Sequence, residues 1–67
     1  MHITFNSEPQ EIPAALLLID LLETKELNNK KGIAVAVNGN VIPRQNWSDT
    51  QLSHNDSILV IKAAQGG

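Results

Sequence analysis

The stretch IAVAVNGNVI, residues 33–42, decides the fold that this chain is expected to adopt. Ile33, Val35 and Val37 alternate with two alanines, so a strand formed here has one bulky and one small apolar face. A strand that is apolar on both faces is typical of the interior of a sheet. The Asn-Gly-Asn sequence that follows is a strong signal for a tight turn, and Val-Ile then forms the returning strand. The stretch therefore predicts a hairpin that ends at Pro43, because proline has no N–H to donate to a ladder.

A second hairpin is predicted at the start of the sequence. Residues 2–6, HITFN, alternate between polar and apolar, with Ile3 and Phe5 on one face. Residues 7–9, SEP, have turn chemistry, and residues 10–12 can return as a short strand.

The last strand is predicted over residues 57–64, SILVIKAA. Ile58 and Val60 share one face of this strand, and Leu59 and Ile61 share the other. We expect Leu59 and Ile61 to belong to the core.

Residues 14–27 lie between the two hairpins and predict a helix. Leu18, Leu21 and Leu22 stand at positions i, i+3 and i+4, so they form one apolar stripe that can pack on a sheet. Residues 28–32, NNKKG, are expected to end this helix with positive charge and a glycine.

Three apolar residues near the helix start, Leu16, Leu17 and Ile19, fall outside that stripe. Either the helix begins later, so that these residues pack near its entry, or they form an exposed patch for a partner. The sequence leaves both interpretations open.

The predicted order of elements is strand, strand, helix, strand, strand, strand. This order predicts an α+β roll of the β-grasp, or ubiquitin-like, kind, in which one main helix packs across a mixed sheet of four or five strands. The last strand can lie inside such a sheet. We expect a single domain over residues 1–67 with a flexible tail at about 64–67, and Trp47 at the open end of the core. The side chains expected to be mostly buried are Ile3, Phe5, Leu18, Leu22, Val35, Val37, Leu59 and Ile61.

The composition excludes several classes of function. The chain has no cysteine, which excludes disulfides, zinc–cysteine sites and a thiol nucleophile and makes a cytoplasmic location the default expectation. Its 5 basic residues are scattered in a chain of net charge -2, and 1 Phe and 1 Trp make no stacking platform, so we expect no nucleic-acid partner. The most apolar run, residues 14–22, is broken by Asp20 and is shorter than the ~20 residues that span a bilayer, so we expect no membrane association.

No arrangement of side chains suggests catalysis within the predicted fold. His2 and His54 are far apart in sequence, and neither stands at a metal-ligand spacing, so we expect both to be surface residues. Ser48 and Asp49 are adjacent, but their segment is more typical of a local cap or turn. The acidic residues are spread out and form no pair for acid–base chemistry. We therefore expect no catalytic residue, no bound cofactor and no metal.

The sequence finishes on Gly66 and Gly67, which admit two interpretations. Glycine costs the most entropy to order, so the pair can be a frayed end. Alternatively, the α-carboxylate of Gly67 is a reactive handle that a partner enzyme activates with ATP by adenylation. A narrow channel leading to ATP favours residues without a Cβ, and Gly66 meets that need. The lack of a site inside the fold favours the second interpretation.

Several segments resemble the ThiS family, the sulfur-carrier proteins of thiamine biosynthesis. They are MHITFN with its Asn6, LIDLL with Leu21 and Leu22, AVAVNGNVIPRQNW with Val37, Asn38, Ile42, Pro43, Arg44 and Trp47, and LSHNDSILVIKAAQGG with its Gly-Gly. Ubiquitin-like modifiers share the Gly-Gly, whereas its combination with IPRQNW and a short length is specific. Family members often have Thr or Ser near the helix start, where this chain has Leu16, Leu17 and Ile19, and this departure concerns the partner surface.

The resemblance implies a carrier protein and not an enzyme. An E1-like adenylating enzyme would use ATP to activate Gly67, sulfur from a cysteine desulfurase or another donor would displace AMP, and the resulting thiocarboxylate would supply thiazole synthase. Gly66 would let the tail thread into its partner. Arg44 and Trp47 match the family motif and are expected to fix their loop. We expect the partners to contact the exposed sheet face beside the last strand, with Lys62 at its rim.

Three other functions are compatible with the sequence. The small subunit of molybdopterin synthase resembles this chain in fold and in its thiocarboxylate end, although the IPRQNW segment and the short length argue against it. A ubiquitin-like modifier would be joined to lysines of its targets by an isopeptide bond. An inert interaction domain would tolerate the loss of Gly67.

Overall fold

A computed structural model describes residues 1–62 of the 67-residue chain. Along the chain lie strands β1 (His2–Phe5) and β2 (Glu8–Glu11), helix α1 (Leu18–Thr24), strands β3 (Ile33–Val37) and β4 (Asn40–Ile42), a 3-10 helix (Arg44–Asp49) and strand β5 (Ser57–Lys62). The strands form one five-stranded sheet in the order β2-β1-β5-β3-β4. This mixed sheet, with α1 on one face, confirms the predicted α+β roll of the β-grasp, or ubiquitin-like, kind.

Strand β5 lies at the centre of the sheet. This agrees with the prediction that the last strand can lie inside a sheet of this kind. It pairs in parallel with β1, where Thr4 is opposite Ser57 and Phe5 is opposite Ile58. On its other side it pairs with β3 in antiparallel fashion from Ile58 to Lys62, along the full length of β3. The strand that leads to the tail therefore joins the two hairpins into one sheet.

Both hairpin turns place asparagine in the left-handed conformation. Asn38 (φ 53°) and Gly39 (φ 85°) form the predicted turn between β3 and β4, in which both central residues need positive φ. In the first hairpin the turn lies at Asn6 (φ 52°) and Ser7 (φ 72°), earlier in the chain than predicted. Pro9 belongs instead to β2, an edge strand in which a missing N–H is tolerated.

Helix α1 has 7 residues and is much shorter than the helix predicted over residues 14–27. Before it, Ala14 and Ala15 form a turn in which Ala15 has a φ of 65°, and Leu17 is extended. The backbone around Leu17 pairs with the segment that follows the 3-10 helix. Leu52 donates its N–H to the carbonyl of Leu16 at 2.9 Å, and Leu18 donates its N–H to the carbonyl of Thr50 at 2.8 Å. This tertiary pairing overrides the helical propensity of the local alanine and leucine residues.

The helix also ends earlier than predicted. Leu27 N–H bonds the carbonyl of Leu22 at 2.8 Å, Glu26 N–H bonds that of Glu23 at 3.0 Å, and Glu26 has a φ of 60°. These are the bonds of a Schellman motif with glutamate at the left-handed position, where glycine is usual. Because the prediction relied on the glycine in residues 28–32 as the stop signal, it placed the end of the helix one turn too late.

Within residues 1–62, no helix is long and apolar enough to cross a membrane.

The apolar residues at the helix entry are partly buried. Leu16 and Ile19 pack against the core, and Leu17 pairs with Gln51 in an isolated bridge. The interpretation that these residues pack near the helix entry is therefore confirmed, and the alternative of an exposed partner patch is wrong.

The core lies between α1 and one face of the sheet. Six of the predicted core side chains lie in it, Ile3, Leu18, Leu22 and Val35 fully buried and Phe5 and Val37 partly buried. Trp47 is 1% exposed, in agreement with its predicted position in the core. Its indole N–H donates to the carbonyl of Ile42 at 2.9 Å. This hydrogen bond satisfies the one polar atom of the buried tryptophan side chain.

The prediction that Leu59 and Ile61 are buried is wrong, because they are 46% and 47% exposed. Ile58 is fully buried and Val60 packs against the core, so α1 covers the face that these two residues share. Since side chains alternate along a strand, the intervening Leu59 and Ile61 point to the open face of the sheet.

Candidate functional site

The candidate site is the surface around β5, the strand from which the chain continues to its tail. Gly67, predicted as the modified residue, and Gly66, predicted to let the tail thread, lie outside the described residues. Both roles therefore stay predictions. The described residues that bear on them are the ones that position β5 and the ones that β5 exposes.

An apolar patch occupies the open face of the sheet. Leu59 lies opposite Ala36, which lies opposite Val41 on the next strand, and Ile61 lies opposite Ala34. We call these five residues the open-face patch. Val41 is 64% exposed, more than either large side chain of β5. The two alanines lie between these larger side chains, and Ala36 is only 6% exposed, so Val41, Leu59 and Ile61 make up most of the accessible surface of the patch. An exposed apolar cluster of this kind marks an interaction site.

The remainder of the open face is polar. His2 and Thr4 of β1 lie opposite Glu11 and Pro9 of β2, on the same side of the sheet as the patch. The His2 ring nitrogen Nδ1 is 3.2 Å from a carboxylate oxygen of Glu11, and the N-terminal ammonium is 3.6 Å from the other oxygen. The open face is thus divided into a charged half on β1 and β2 and an apolar half on β5, β3 and β4.

The two histidines, distant in sequence, are neighbours in the structure. His2 donates its backbone N–H to Nδ1 of His54 at 3.0 Å, and the ring centroids are 6.2 Å apart. Among residues 1–62, however, no group of three or more histidine or acidic side chains is arranged to hold a metal ion. The same residues enclose no pocket. The described part of the chain therefore offers a surface, and not a cavity, for recognition.

Lys62 does not lie at the rim of the open-face patch, and that prediction is wrong. It pairs with Ile33, whose side chain packs against the core, so the register places Lys62 on the helix side of the sheet. The alternation along β5 that exposes Leu59 and Ile61 on one face sends Lys62 to the other.

Arg44 and Trp47 fix the loop, as expected from their place in the motif. The Arg44 guanidinium lies 4.4 Å from the centre of the Trp47 ring, and it donates to the backbone carbonyls of Asn28 (2.9 Å) and Lys30. Arg44 thereby ties the 3-10 helix to the loop that follows α1. A planar guanidinium can stack and donate in this way, whereas a lysine ammonium cannot do both.

Two asparagines hold β5 from either side, a feature that sequence reasoning missed. Asn6 accepts the N–H of Val60 through its side-chain oxygen at 2.9 Å, and Asn38 accepts the N–H of Ser57 in the same way at 2.9 Å. The sequence marked Asn38 as a turn residue and both asparagines as family matches, with no partner for either side chain. No short-range pattern predicts these bonds, because their partners are many residues away in the sequence.

The exposed sheet face beside the last strand was predicted as the contact surface, but its apolar side chains were missed, although the sequence carried a signal for them. Strands β3 and β5 are apolar on both faces, but the described part of the chain has one α-helix, α1, to cover them. One apolar face had to remain open.

The comparisons agree with this architecture. A family model described as the ThiS family matches residues 3–67 of the chain. The chain is 30% identical over 67 residues to the sulfur carrier protein ThiS of Escherichia coli (strain K12), with 100% of both chains covered. A crystal structure of the thiamine biosynthesis protein ThiS from Geobacter metallireducens matches with a TM-score of 0.87 and 23% identity over 100% of both chains. An NMR structure of a thiamine biosynthesis protein from that organism matches with a TM-score of 0.74 and 25% identity, covering 100% of this chain and 88% of the other. The chain belongs to the ThiS family.

Proposed function

We propose that this protein is a sulfur carrier for thiazole formation in thiamine biosynthesis, and that it carries sulfur as a thiocarboxylate on Gly67. The observation that supports this most is the end-to-end match to a relative named as a sulfur carrier. The family match extends to residue 67 and so includes Gly66 and Gly67.

The chemistry requires partners, because a carboxylate is a poor electrophile. In the proposed first step, a carboxylate oxygen of Gly67 attacks the α-phosphorus of ATP in an E1-like adenylating enzyme, and pyrophosphate leaves. A persulfide sulfur from a cysteine desulfurase or another donor then attacks the acyl carbon, and AMP leaves. A thiol next cleaves the resulting acyl disulfide and releases the thiocarboxylate. This chain has no cysteine, so both the persulfide and the thiol belong to partners.

We propose the open-face patch as the docking surface for the adenylating enzyme and, in turn, for thiazole synthase. Leu59 and Ile61 are exposed on the strand that leads to the tail, so an enzyme that draws in Gly67 also meets these side chains. Buried apolar anchors carry most of the energy of such interfaces. Because both partners would use one patch, they would bind alternately.

Three changes to the tail test the proposal. Deleting Gly67 moves the carboxylate back by ~3.5 Å, Gly66→Ala adds one methyl group in the channel, and an extra alanine after Gly67 puts the acyl carbon in the wrong place. Positioning errors of ~1 Å can cost ~10²-fold in rate, so we expect ATP–pyrophosphate exchange with the adenylating enzyme to fall by at least that factor for each variant. Intact mass should then show no oxygen-to-sulfur replacement.

The melting temperature is the control, because all three changes lie beyond β5 and should leave it unchanged. Normal exchange rates for the three variants would contradict the proposal. Covalent ladders of larger proteins in cell extract would instead identify a ubiquitin-like modifier.

A further inference from the structure

We infer that Asn6 is a positioning residue for the reaction at the tail, because its side chain holds β5 at the last point within residues 1–62 where this strand is bonded on the β1 side. The inference rests on the proposed function, since it concerns how Gly67 is presented to an enzyme. Asn6 acts through β5.

The position of Asn6 follows from the short parallel pairing of β1 with β5. The two strands pair at only two positions, and the backbone N–H of Asn6 then donates to the carbonyl of Ile58 at 2.8 Å. At Asn6 the chain turns away toward β2 with a φ of 52°, so β1 supplies no further backbone carbonyl to β5. The next β5 amide on this side is that of Val60, and the Asn6 side-chain oxygen accepts it at 2.9 Å. The side chain thus replaces the backbone carbonyl that a longer β1 would offer.

After the bond to Asn6, β5 continues to pair with β3 but is no longer bonded on the β1 side within residues 1–62. On the β3 side the pairing continues until Lys62 lies opposite Ile33. On the β1 side, the carbonyl of Val60 and the N–H of Lys62 come next, because backbone groups alternate between the two sides of a strand. Within residues 1–62, neither group has a hydrogen-bond partner on that side. Among the described residues, the Asn6 bond is therefore the last restraint on the β1 side that opposes a sideways swing of the strand end.

A swing at Val60 would change how the tail is presented to the enzyme. Gly67 lies seven residues beyond Val60, so a change in the direction of β5 changes the point and the direction from which those residues start toward the enzyme. Docking through the open-face patch would be little affected, because β3 still holds Leu59 and Ile61 in register. Loss of the bond should therefore lower kcat more than it raises KM, since it disturbs positioning and not ground-state binding.

Asn38 offers a matched control at the opposite end of the same strand. It has a φ of 53°, and its side-chain oxygen accepts the N–H of Ser57 at 2.9 Å. Its side-chain amide also donates to Asp56 at 2.9 Å, so its removal costs more hydrogen bonds than removal of the Asn6 side chain. A purely structural effect should be larger at Asn38, whereas a positioning effect should be larger at Asn6.

The test compares Asn6→Gly, Asn6→Asp and Asn38→Gly. Glycine adopts positive φ without strain and removes only the side chain, while aspartate keeps an oxygen acceptor at the same place. In Asn6→Gly, amide hydrogen exchange at Val60 should accelerate by about 2- to 10-fold relative to the core amide of Val35, as expected for one exposed hydrogen bond. In the ATP–pyrophosphate exchange assay with the adenylating enzyme, the kcat measured with Asn6→Gly should fall about 10-fold, with KM changed by less than about 2-fold. Asn6→Asp should keep both the Val60 hydrogen-exchange rate and kcat close to their wild-type values. Asn38→Gly should leave kcat unchanged.

Each other result overturns the inference. Unchanged Val60 exchange in Asn6→Gly would show that the bond does not restrain the strand. Accelerated Val60 exchange with a normal kcat would show that the restraint does not serve the reaction, and an equal kcat loss in Asn38→Gly would assign the effect to general stability. If the wild-type chain gave no ATP-dependent exchange, the proposed function would fail and the reaction role of Asn6 with it, although Val60 exchange, measured without a partner, would still report whether Asn6 restrains β5.

Discussion

The two faces of β5 are equally apolar in sequence but have opposite fates in the structure. Ile58 is fully buried under α1, whereas its neighbour Leu59 is 46% exposed on the open face. The same division runs through β3, where Val35 is buried under the helix and Ala36 belongs to the open-face patch. One face therefore stabilises the fold, and the other is available for recognition. The comparison teaches that hydrophobic character alone does not define the core of a small domain, because a single helix covers only one side of the sheet.

The largest effect should separate the two faces by stability. Ile58→Ala and Leu22→Ala each remove a fully buried side chain and should lower the free energy of unfolding by about 2–5 kcal/mol. Leu59→Ala, one residue from Ile58, should cost less than about 1 kcal/mol because its side chain is half exposed. Chemical denaturation measures all three values. Equal losses for Ile58→Ala and Leu59→Ala would show that the two faces do not differ in the way the burial indicates.

A smaller effect should separate the faces by binding. Leu59→Ala and Ile61→Ala should each weaken the complex with the adenylating enzyme by about 5- to 30-fold in Kd, the usual range when an apolar anchor is truncated. Titration calorimetry on variants that keep a wild-type melting temperature measures this. Thr4→Ala, on the polar half of the same face, is the control and should bind normally. Wild-type affinity for both β5 variants would remove the open-face patch as a docking surface.

The smallest effect is expected at Lys62, which lies on the helix side of β5. Lys62→Glu reverses a charge close to the tail, but it should change the association rate by less than about 3-fold at physiological ionic strength, where screening acts over ~8 Å. Stopped-flow association measures this. A tenfold slower association would mean that partners also contact the helix side of the strand, and the division of roles between the faces would have to be redrawn.

Much of the fold could be predicted because its signals are local. The Asn38-Gly39 turn and the alternation in β3 depend only on neighbouring residues, and the order of elements follows from them. The ends of α1 could not be predicted, because the preceding residues pair with a segment more than 30 residues away, as the Leu52 to Leu16 bond illustrates. The helix stop was misplaced because the left-handed position is held by Glu26 and not by a glycine.

The candidate site was predicted only in part, for a related reason. A strand that reads as apolar on both sides does not reveal which side the helix will cover, so Leu59 and Ile61 were assigned to the core. Lys62 was placed on the wrong face because of the same ambiguity. The partner of the Asn6 side chain depends on which strands become neighbours, and only the sheet order supplies that information.

The central place of β5 also has a consequence for how the protein folds. The hairpins β1–β2 and β3–β4 are local in sequence, but within residues 1–62 they make no ladder with each other, and β5 lies between them in the sheet. The pairing of Phe5 with Ile58 closes a loop of more than 50 residues, so it should be slow and late compared with the hairpins. During synthesis, both hairpins leave the ribosome before the strand that unites them. Without β5 the two hairpins are not joined into one sheet and the open-face patch lacks Leu59 and Ile61, so an enzyme that reads this face would act only on molecules that have finished folding.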